Sequence, residues 1–498
     1  MATIKDITTL CRAGKLAEAY ELAKADLAMS PENVWGQREV AWALYYMLKD
    51  DSEKRRNQAF YEHLKELMEL DLLTIESDSM IFDKVLWKLA DVLKNTPDEN
   101  IGEVDRLFPL FSKLHYNPSN GYSYLLKSVL GFATWSRLVA FFEWWNIDNL
   151  LAEDYQQFQM ENGRKIMSLA EQAYIAYSKA LLKLNDKDKI RAFLPKIEQL
   201  MDDYPEMMYP GYFCGKLMLA MGAERDDALE TVMPFVRKKR SEFWVWQLLC
   251  DLYKGESDIQ LACLLRAVHC RTQEVFLGKV RMKLVSLYIN RGDYPRAKHH
   301  LDQVTRCYVQ QGWRLPAEVQ NWMRESWVHT TPADSSDGVD YQKYTNAILS
   351  QDAHESIAVV TYVDTARKRA FVVYGKELRT TVSFSDLQMR VKEGSLLKLK
   401  WTAGSNGSID IVGVEPVTVS ALKDLSYLRV LEGKAEKHGN HPFAFVRAHG
   451  ISCYIHPDDV RKQALENGHS VSVLAVWDYN KKKDMWNWTC VSLKKKEK

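Results

Sequence analysis

The sequence predicts a multi-domain α + β protein, in which an N-terminal α-helical repeat superhelix precedes two small five-stranded β-barrels. Apolar residues recur with a period of about 3.6 over the first two thirds of the chain, and with a period of two after residue 340. Between these regions, VHTTPADSSDGVD has the Pro, Gly, Ser and Asp content of a linker. The predicted boundaries are 1–328 for the helical domain, 329–350 for the linker, and 351–420 and 428–494 for the barrels.

Two segments of the helical region resemble units of the tetratricopeptide (TPR) repeat. The segment 14–33 carries Ala19 and Ala23 where small side chains let two helices approach closely. The segment 284–304 carries Gly292 at the matching turn. The helices between them follow no strict consensus, so we describe the region as TPR-like. Stacked helical repeats form a concave groove, and the resemblance therefore implies that this region binds a protein partner.

Five strand-like segments between 356 and 418 predict the first barrel. They occur in the same order as those of the second barrel, so we interpret the two as tandem copies. In the first barrel, the positions that correspond to the aromatic face described next are Phe371, Val373, Ser383 and Ser385. Only one of these is aromatic. The first barrel is therefore expected to act as a spacer, a surface for phosphate backbone or a protein dock.

The second barrel is predicted to expose an aromatic face. The segment HPFAFVR places Phe443 and Phe445 on one side of a strand, because side chains alternate with period two. The segment CYIHPDDV places Tyr454 and His456 together on the next strand. The inward side chains are then Ala444, Val446, Cys453 and Ile455. Exposed rings on a sheet bind unpaired bases by stacking; the alternative is that these aromatics are ordinary core residues.

These strands resemble those of cold-shock and S1-type oligonucleotide-binding (OB) folds. That family carries a basic-Gly-Phe-Gly-Phe-Ile strand followed by an apolar-Phe-Val-His strand. Phe443 and Phe445 match its first pair of stacking positions, and Tyr454 and His456 match the second. Pro442 departs from the pattern, because glycine is usual there. The resemblance implies that the second barrel binds single-stranded RNA or DNA.

Five basic residues of the second barrel are predicted to contact phosphate: Lys434, Arg447, Lys481, Lys482 and Lys483. The three lysines also fit a solvated hairpin tip. Residues 340–498 hold 24 Lys and Arg against 18 Asp and Glu, a net charge of +6, whereas the rest of the chain has a net charge of −5. Basic charge thus accumulates near the aromatic face, as phosphate binding requires. We interpret the Arg237–Arg240 cluster as a solvated helix end, with a phosphate site as the alternative.

No pattern in the sequence indicates catalysis, and we expect no enzymatic activity, catalytic residue, metal or cofactor. The eight cysteines form no CxxC pair and no zinc-type spacing. HPDD at 456–459 suggests a nuclease metal site, but Asp458 and Asp459 also fit the start of a helix. Polar residues in Met1–Arg12 argue against a signal peptide. Charged residues interrupt the most apolar window and argue against a membrane span. We therefore expect a cytoplasmic protein.

The combined architecture resembles proteins of the bacterial conflict loci called TOTE systems, in which such barrels accompany a primase–helicase–nuclease apparatus. The resemblance implies a non-enzymatic nucleic-acid-binding adaptor in a conflict (defence) system. Its C-terminal barrel would bind single-stranded RNA or DNA, while the TPR-like groove would hold a protein partner such as a nuclease, helicase or primase. The alternative function is a protein–protein interaction scaffold, whose barrels dock proteins and bind no nucleic acid.

Overall fold

The computed structural model of the chain describes residues 3–161, 165–387, 389–403, 408–418, 425–439, 441–480 and 484–496. These residues confirm the predicted α + β class, because helices dominate the chain before His354 and ten of the twelve described strands follow it. The chain divides into two compact units, Met1–Val232 and Met233–Lys498. None of the described helices combines the length and the apolar character that a membrane crossing needs.

The first unit is built almost entirely from helices, many of which pack against their neighbours in the chain. They are α1 (Ile4–Arg12), α2 (Leu16–Met29), α3 (Val34–Glu53), α4 (Asn57–Leu67), α5 (Ile75–Lys94), α6 (Ile101–Phe111), α7 (Asn120–Val129), α8 (Leu138–Trp145), α9 (Leu169–Leu184), α10 (Lys187–Asp203), α11 (Pro210–Met221) and the start of α12 (Arg225–Lys238). Helix α1 begins at a capping box, in which the Thr3 hydroxyl accepts from the Asp6 amide and the Asp6 carboxylate accepts from the Thr3 amide. A two-stranded hairpin, β1 (Phe158–Gln159) with β2 (Lys165–Ile166), interrupts the helices and was not expected from the sequence.

Aromatic side chains fill much of the core of the first unit. Trp145 is fully buried, and its indole N–H donates to the carbonyl oxygen of Tyr122. The Tyr122 hydroxyl donates in return to the carbonyl oxygen of Trp145. Phe108 and Phe141 pack with their ring centroids 6.2 Å apart. These tryptophan and tyrosine polar atoms are paired inside the protein, which is the arrangement expected of structural core residues.

The second unit begins with the rest of its helices. They are α13 (Phe243–Leu252), α14 (Ser257–Val268), α15 (Gly278–Asn290), α16 (Tyr294–Gln310), α17 (Ala317–Trp322), α18 (Ser326–Thr330) and α19 (Tyr341–Leu349). Helices α15 and α16 pack together across a turn in which Gly292 has a φ of +72°, a left-handed conformation that glycine adopts without steric cost. Helix α19 lies inside the segment predicted as a linker and packs against α14. Its N-cap is Asp340, one of the polar residues that gave the segment its linker-like composition.

Two five-stranded sheets follow the helices, and we call them the first and second barrels. The strands of the first are β3 (His354–Asp364), β4 (Arg369–Gly375), β5 (Leu378–Ser383), β6 (Leu396–Ala403) and β7 (Ile409–Val417). Those of the second are β8 (Leu428–Glu436), β9 (Ala444–Ala448), β10 (Ile451–Ile455), β11 (Ser470–Asn480) and β12 (Met485–Lys495). Short helices follow the third strand of each, α20 (Phe384–Leu387) and α21 (Pro457–Lys462).

The strand order is the same in both barrels. The first runs β5-β4-β3-β6-β7, and the second runs β10-β9-β8-β11-β12 and closes where Tyr454 on β10 pairs in parallel with Thr489 on β12. Helix α20 contacts both edge strands of the first barrel, β5 and β7. Each barrel has its own apolar interior, and α21 contributes Val460 to the interior of the second. The expected tandem strand order is therefore observed. The described residues close only the second sheet into a barrel, however, and the first is an open five-stranded sheet that keeps the name first barrel for its matching order.

The two barrels also pack against each other through outward-facing apolar side chains, which we call the inter-barrel contact. It comprises Val359, Val373 and Leu396 of the first barrel with Tyr427, Leu428, Leu474 and Val476 of the second. The Tyr427 hydroxyl donates to the carbonyl oxygen of Ile357 at 2.6 Å. Gly394 has a φ of +80°, and a Cβ atom there would lie 2.7 Å from the Cβ atom of Ser492. The close approach of the barrels therefore requires glycine at this position.

Candidate nucleic-acid interface

The predicted site lies on the hairpin formed by β9 and β10. The two strands are joined by His449 and Gly450, whose φ values of 51° and 75° match the type I′ turn that favours tight hairpins. In this register Phe445 lies opposite Tyr454. The four side chains that the alternation predicted as inward are all buried in the barrel core: Ala444, Val446, Cys453 and Ile455.

Three aromatic rings lie together on the outer surface of this hairpin, and we call Phe443, Phe445 and Tyr454 the aromatic face. The ring centroid of Phe443 lies 5.7 Å from that of Phe445 and 5.7 Å from that of Tyr454. The centroids of Phe445 and Tyr454 are 5.8 Å apart. All three rings are partly exposed. Burial raises the pKa of the Tyr454 phenol, so the aromatic face is uncharged near neutral pH.

His441 extends the aromatic face and was not identified as a site residue from the sequence. Its ring stacks on Phe443 with the centroids 5.1 Å apart and the planes 23° from parallel, and its side chain is exposed. The sequence contains a signal for it, because His441, Phe443 and Phe445 occupy every second position and so fall on one side of an extended chain. The family pattern has lysine at this position, so the resemblance does not mark His441 as a stacking residue.

His456 occupies a different position from the three rings. It is the N-cap of α21, where its Nδ1 atom accepts a hydrogen bond from the Asp458 amide at 3.3 Å. The same nitrogen lies 3.4 Å from the Asp458 carboxylate. Its side chain is exposed, and among the described residues its ring contacts none of the rings of the aromatic face. The structure thus joins three of the four predicted stacking residues and gives the fourth a helix-capping contact.

The predicted phosphate-contacting residues have different surroundings. Lys434 is exposed on β8. Arg447 is exposed on β9 and forms an ion pair with Glu436, with Nη1 2.7 Å from the carboxylate. Glu436 is also the cross-strand neighbour of Phe445, so one carboxylate lies beside the aromatic face. The remaining three predicted contacts lie outside the described residues: Lys481, Lys482 and Lys483.

The corresponding surface of the first barrel is arranged differently. Val373 is fully buried in the inter-barrel contact. Phe371 is partly buried beside Tyr362, with the ring centroids 5.9 Å apart. Ser383 and Ser385 are exposed, and their hydroxyl oxygens are 2.8 Å apart. The first barrel therefore presents one pair of rings and two hydroxyls where the second presents a cluster of rings.

The rest of the described surface offers no evident metal chemistry. Within the described residues, no group of three or more His, Cys, Asp or Glu side chains is placed to hold a metal ion. The Asp458 carboxylate forms an ion pair with the exposed Arg461, and the Asp458 amide donates a hydrogen bond to His456, the N-cap of α21. All eight cysteines are free thiols, and burial raises the pKa of Cys490 to about 12.

Comparison with known families agrees with this geometry. Residues 429–493 match the family model of S1/CSD-like domain 2 of the TOTE conflict systems. The S1/CSD-like match runs from the second residue of β8 into β12, and so includes the whole aromatic face. This part of the resemblance seen in the sequence is confirmed.

A second match covers residues 208–347, which fit the model of a domain of unknown function (DUF7017). That model names no repeat type, so the TPR-like interpretation stays a prediction. The first barrel lies outside both matches. No curated protein matches the chain.

Proposed function

We propose that this protein is a nucleic-acid-binding adaptor of a conflict system, without catalytic activity of its own. In this proposal the S1/CSD-like barrel binds single-stranded RNA or DNA, and the helical region holds a protein partner. The observation that carries the proposal is the aromatic face of a closed five-stranded barrel, with Phe445 and Tyr454 on its second and third strands and Phe443 directly before the second. In OB folds, this surface is the one that commonly binds oligonucleotides.

The geometry suits stacking better than base-specific reading. The partly exposed rings present apolar surface to solvent, and each base that stacks on such a ring contributes about 1–3 kcal/mol. Two exposed cations lie on the strands that form this surface, Arg447 on the same strand as Phe445 and Lys434 on the paired strand β8. Stacking accepts any base, and phosphate contacts are independent of sequence. We therefore expect weak base preference and strong dependence on salt.

The proposal is tested by fluorescence anisotropy of a labelled single-stranded oligonucleotide titrated with the full-length chain. Replacing two rings, Phe443→Ala with Tyr454→Ala, should weaken binding by about 2–6 kcal/mol if each ring stacks on one base. The matched control is Tyr362→Ala with Phe371→Ala, which removes the pair of neighbouring rings from the first barrel. This control should change the affinity much less. RNA and DNA versions of the oligonucleotide show which is preferred.

Two results would contradict the stacking site. One is the absence of binding at low salt. The other is binding that the Phe443→Ala, Tyr454→Ala variant leaves unchanged. The first result would favour the alternative function, in which the barrels dock proteins. The second would mean that nucleic acid binds at another surface of the chain. Circular dichroism of each variant, with thermal melts, must show that the fold is retained.

The adaptor part of the proposal concerns a protein partner such as a nuclease, helicase or primase. It is supported by packed α-helices, such as α13 with α14 and α15 with α16, which belong to the same compact unit as the S1/CSD-like barrel. A pull-down with the full-length chain should capture the partner, whereas a fragment of residues 340–498 should not. Equal capture by both would place the partner on the barrels and contradict this assignment.

A further inference from the structure

A basic pocket lies in the second unit, where the helices meet the first barrel. Its volume is about 760 Å³, within the usual range for small-ligand sites. Among the described residues, seven cationic side chains line it, against two carboxylates, Asp386 and Asp410. The helices contribute Arg237, Lys238, Arg240 and Arg266. The first barrel contributes Arg367, Lys368 and Arg369.

The helical arginines are held in place by contacts with the protein. The Arg237 guanidinium donates from Nε to the carbonyl oxygen of Leu349 at 3.1 Å and from Nη2 to that of Gln351 at 2.7 Å. Arg240 pairs with Asp386 at 2.5 Å. A guanidinium has five N–H donors, so these bonds fix each group and leave donors for a ligand. This placement corrects the interpretation of the cluster as a solvated helix end, because Arg237 and Arg240 are both partly buried.

Burial has an electrostatic cost at this pocket. Burial lowers the pKa of the Arg237 guanidinium. The nearby Asp352 and Asp410 carboxylates raise this pKa, but by less than burial lowers it. A guanidinium stays charged in proteins even so, and a partly buried charge is stabilised by a nearby counter-charge. An anion in the pocket would provide one.

On the barrel side of the pocket, two of the three cations have no carboxylate partner among the described residues. Arg367 and Lys368 lie in the turn between β3 and β4 and are exposed. Within the described residues, neither side chain forms an ion pair. Arg369 packs over the Phe371 ring at 5.0 Å from its centroid, and its Nε atom lies 3.5 Å from the Asp364 carboxylate.

The lining favours phosphate over other anions. Five of the seven cations are arginines, whose planar forks match phosphate oxygens in pairs. The hydroxyls of Thr381, Ser383 and Ser385 add neutral donors on the same wall. No aromatic ring of the described residues lines the pocket, so they offer no surface on which a base could stack. Even with Asp352 and Asp364 close to the lining, the seven cations outnumber the four carboxylates, and the remaining positive charge exceeds what a single carboxylate would neutralise.

We propose that this basic pocket binds a ligand with two or more adjacent phosphate groups, recognised through its phosphates and not through its base. The phosphates can come from a nucleoside triphosphate or from the backbone of a nucleic-acid strand. The proposal is independent of stacking on the aromatic face, because its cations and hydroxyls belong to the helices and the first barrel.

The test is isothermal titration calorimetry of the full-length chain with inorganic tripolyphosphate at low salt. Arg367→Glu with Lys368→Glu should weaken binding by roughly tenfold or more, since charge-assisted hydrogen bonds contribute about 1.5–3 kcal/mol each and 1.4 kcal/mol is a factor of ten. The matched control is Lys376→Glu with Arg390→Glu, an equal change of charge at exposed residues of the same barrel outside the pocket. The control should bind within about twofold of the native chain. Thermal melts check that both variants fold.

Two further arms identify the source of the phosphates. ATP binding that is about as tight as tripolyphosphate binding indicates that a nucleotide can supply the phosphates. Competition by an oligonucleotide, measured in the Phe443→Ala, Tyr454→Ala background, indicates a nucleic-acid strand. Either result supports the pocket. Tripolyphosphate binding that persists in this background separates the pocket from the proposed stacking site. No binding of any of these ligands, or equal weakening by the control variant, would overturn the proposal.

Discussion

The two barrels share a strand order, but their second and third strands expose different chemistry. In the second barrel, the outward positions of this hairpin hold a cluster of rings that faces solvent. In the first, Val373 faces the neighbouring barrel, while Ser383 faces the basic pocket. The inward positions of both are small or branched apolar residues, such as Val372 and Val446. The fold depends on the inward set, so the outward set can differ between copies without changing the topology.

The largest expected effect concerns the side of the second barrel that faces its neighbour. Leu428 is buried in the inter-barrel contact, and Leu428→Ala should lower the free energy of unfolding by about 2–5 kcal/mol, as is typical of a buried leucine. Val430→Ala is the control, because Val430 is 41% exposed on the same strand, and it should cost less than about 1 kcal/mol. Urea denaturation measures both. Equal effects would mean that the inter-barrel contact adds no stability.

The next effect concerns the side of the second barrel that faces solvent. His441→Ala removes the ring that stacks on Phe443 and should weaken oligonucleotide binding by about 1–3 kcal/mol if a base lies on it. His438→Ala, at another exposed histidine of the same barrel, is the control. Fluorescence anisotropy compares the two. Equal effects of the two substitutions would show that no base stacks on the His441 ring.

Salt dependence should distinguish the two cations near the aromatic face. Lys434→Gln should reduce the slope of log affinity against log salt concentration by about 0.7, the value for one phosphate contact on a single strand. Arg447→Gln should reduce it less, because Glu436 already neutralises much of that charge. Titrations over a series of salt concentrations measure the slopes. A larger change for Arg447 would show that the ion pair opens on binding.

The smallest effect is the pH dependence of the ion pair between Arg379 of the first barrel and Asp478 of the second. Burial raises the pKa of Asp478, and Arg379, 3.1 Å away, opposes the shift. Because the folded-state pKa lies above the unfolded value, the carboxylate costs stability above its folded pKa, and this cost is relieved as pH falls through it. Arg379→Gln should raise the pKa of Asp478 further. Carbon NMR titration of the Asp478 carboxyl measures this, and the distant Asp458 should not change.

The sequence predicted the barrel hairpin well because one of its faces is strictly apolar. Alternation alone identified Val446 and Cys453 as inward, and it also places His441 on the same side as Phe443 and Phe445. The same rule could not identify the inter-barrel contact, because the run VLAV at 473–476 is apolar on both sides of the strand. One side is buried in the barrel interior and the other in the inter-barrel contact. The basic pocket joins Arg237 to Arg369, and no local pattern connects residues so far apart in the chain.

The inter-barrel contact determines how the protein can be divided. The S1/CSD-like match begins at residue 429 and so excludes Tyr427. The Tyr427 hydroxyl donates a hydrogen bond to the first barrel. A fragment cut at that boundary would leave Leu474 and Val476 on an uncovered sheet surface. Such a fragment should self-associate in solution, and its binding data would describe the aggregate. The smallest fragment that keeps the inter-barrel contact covered is the pair of barrels, so recombination or engineering should move the two together.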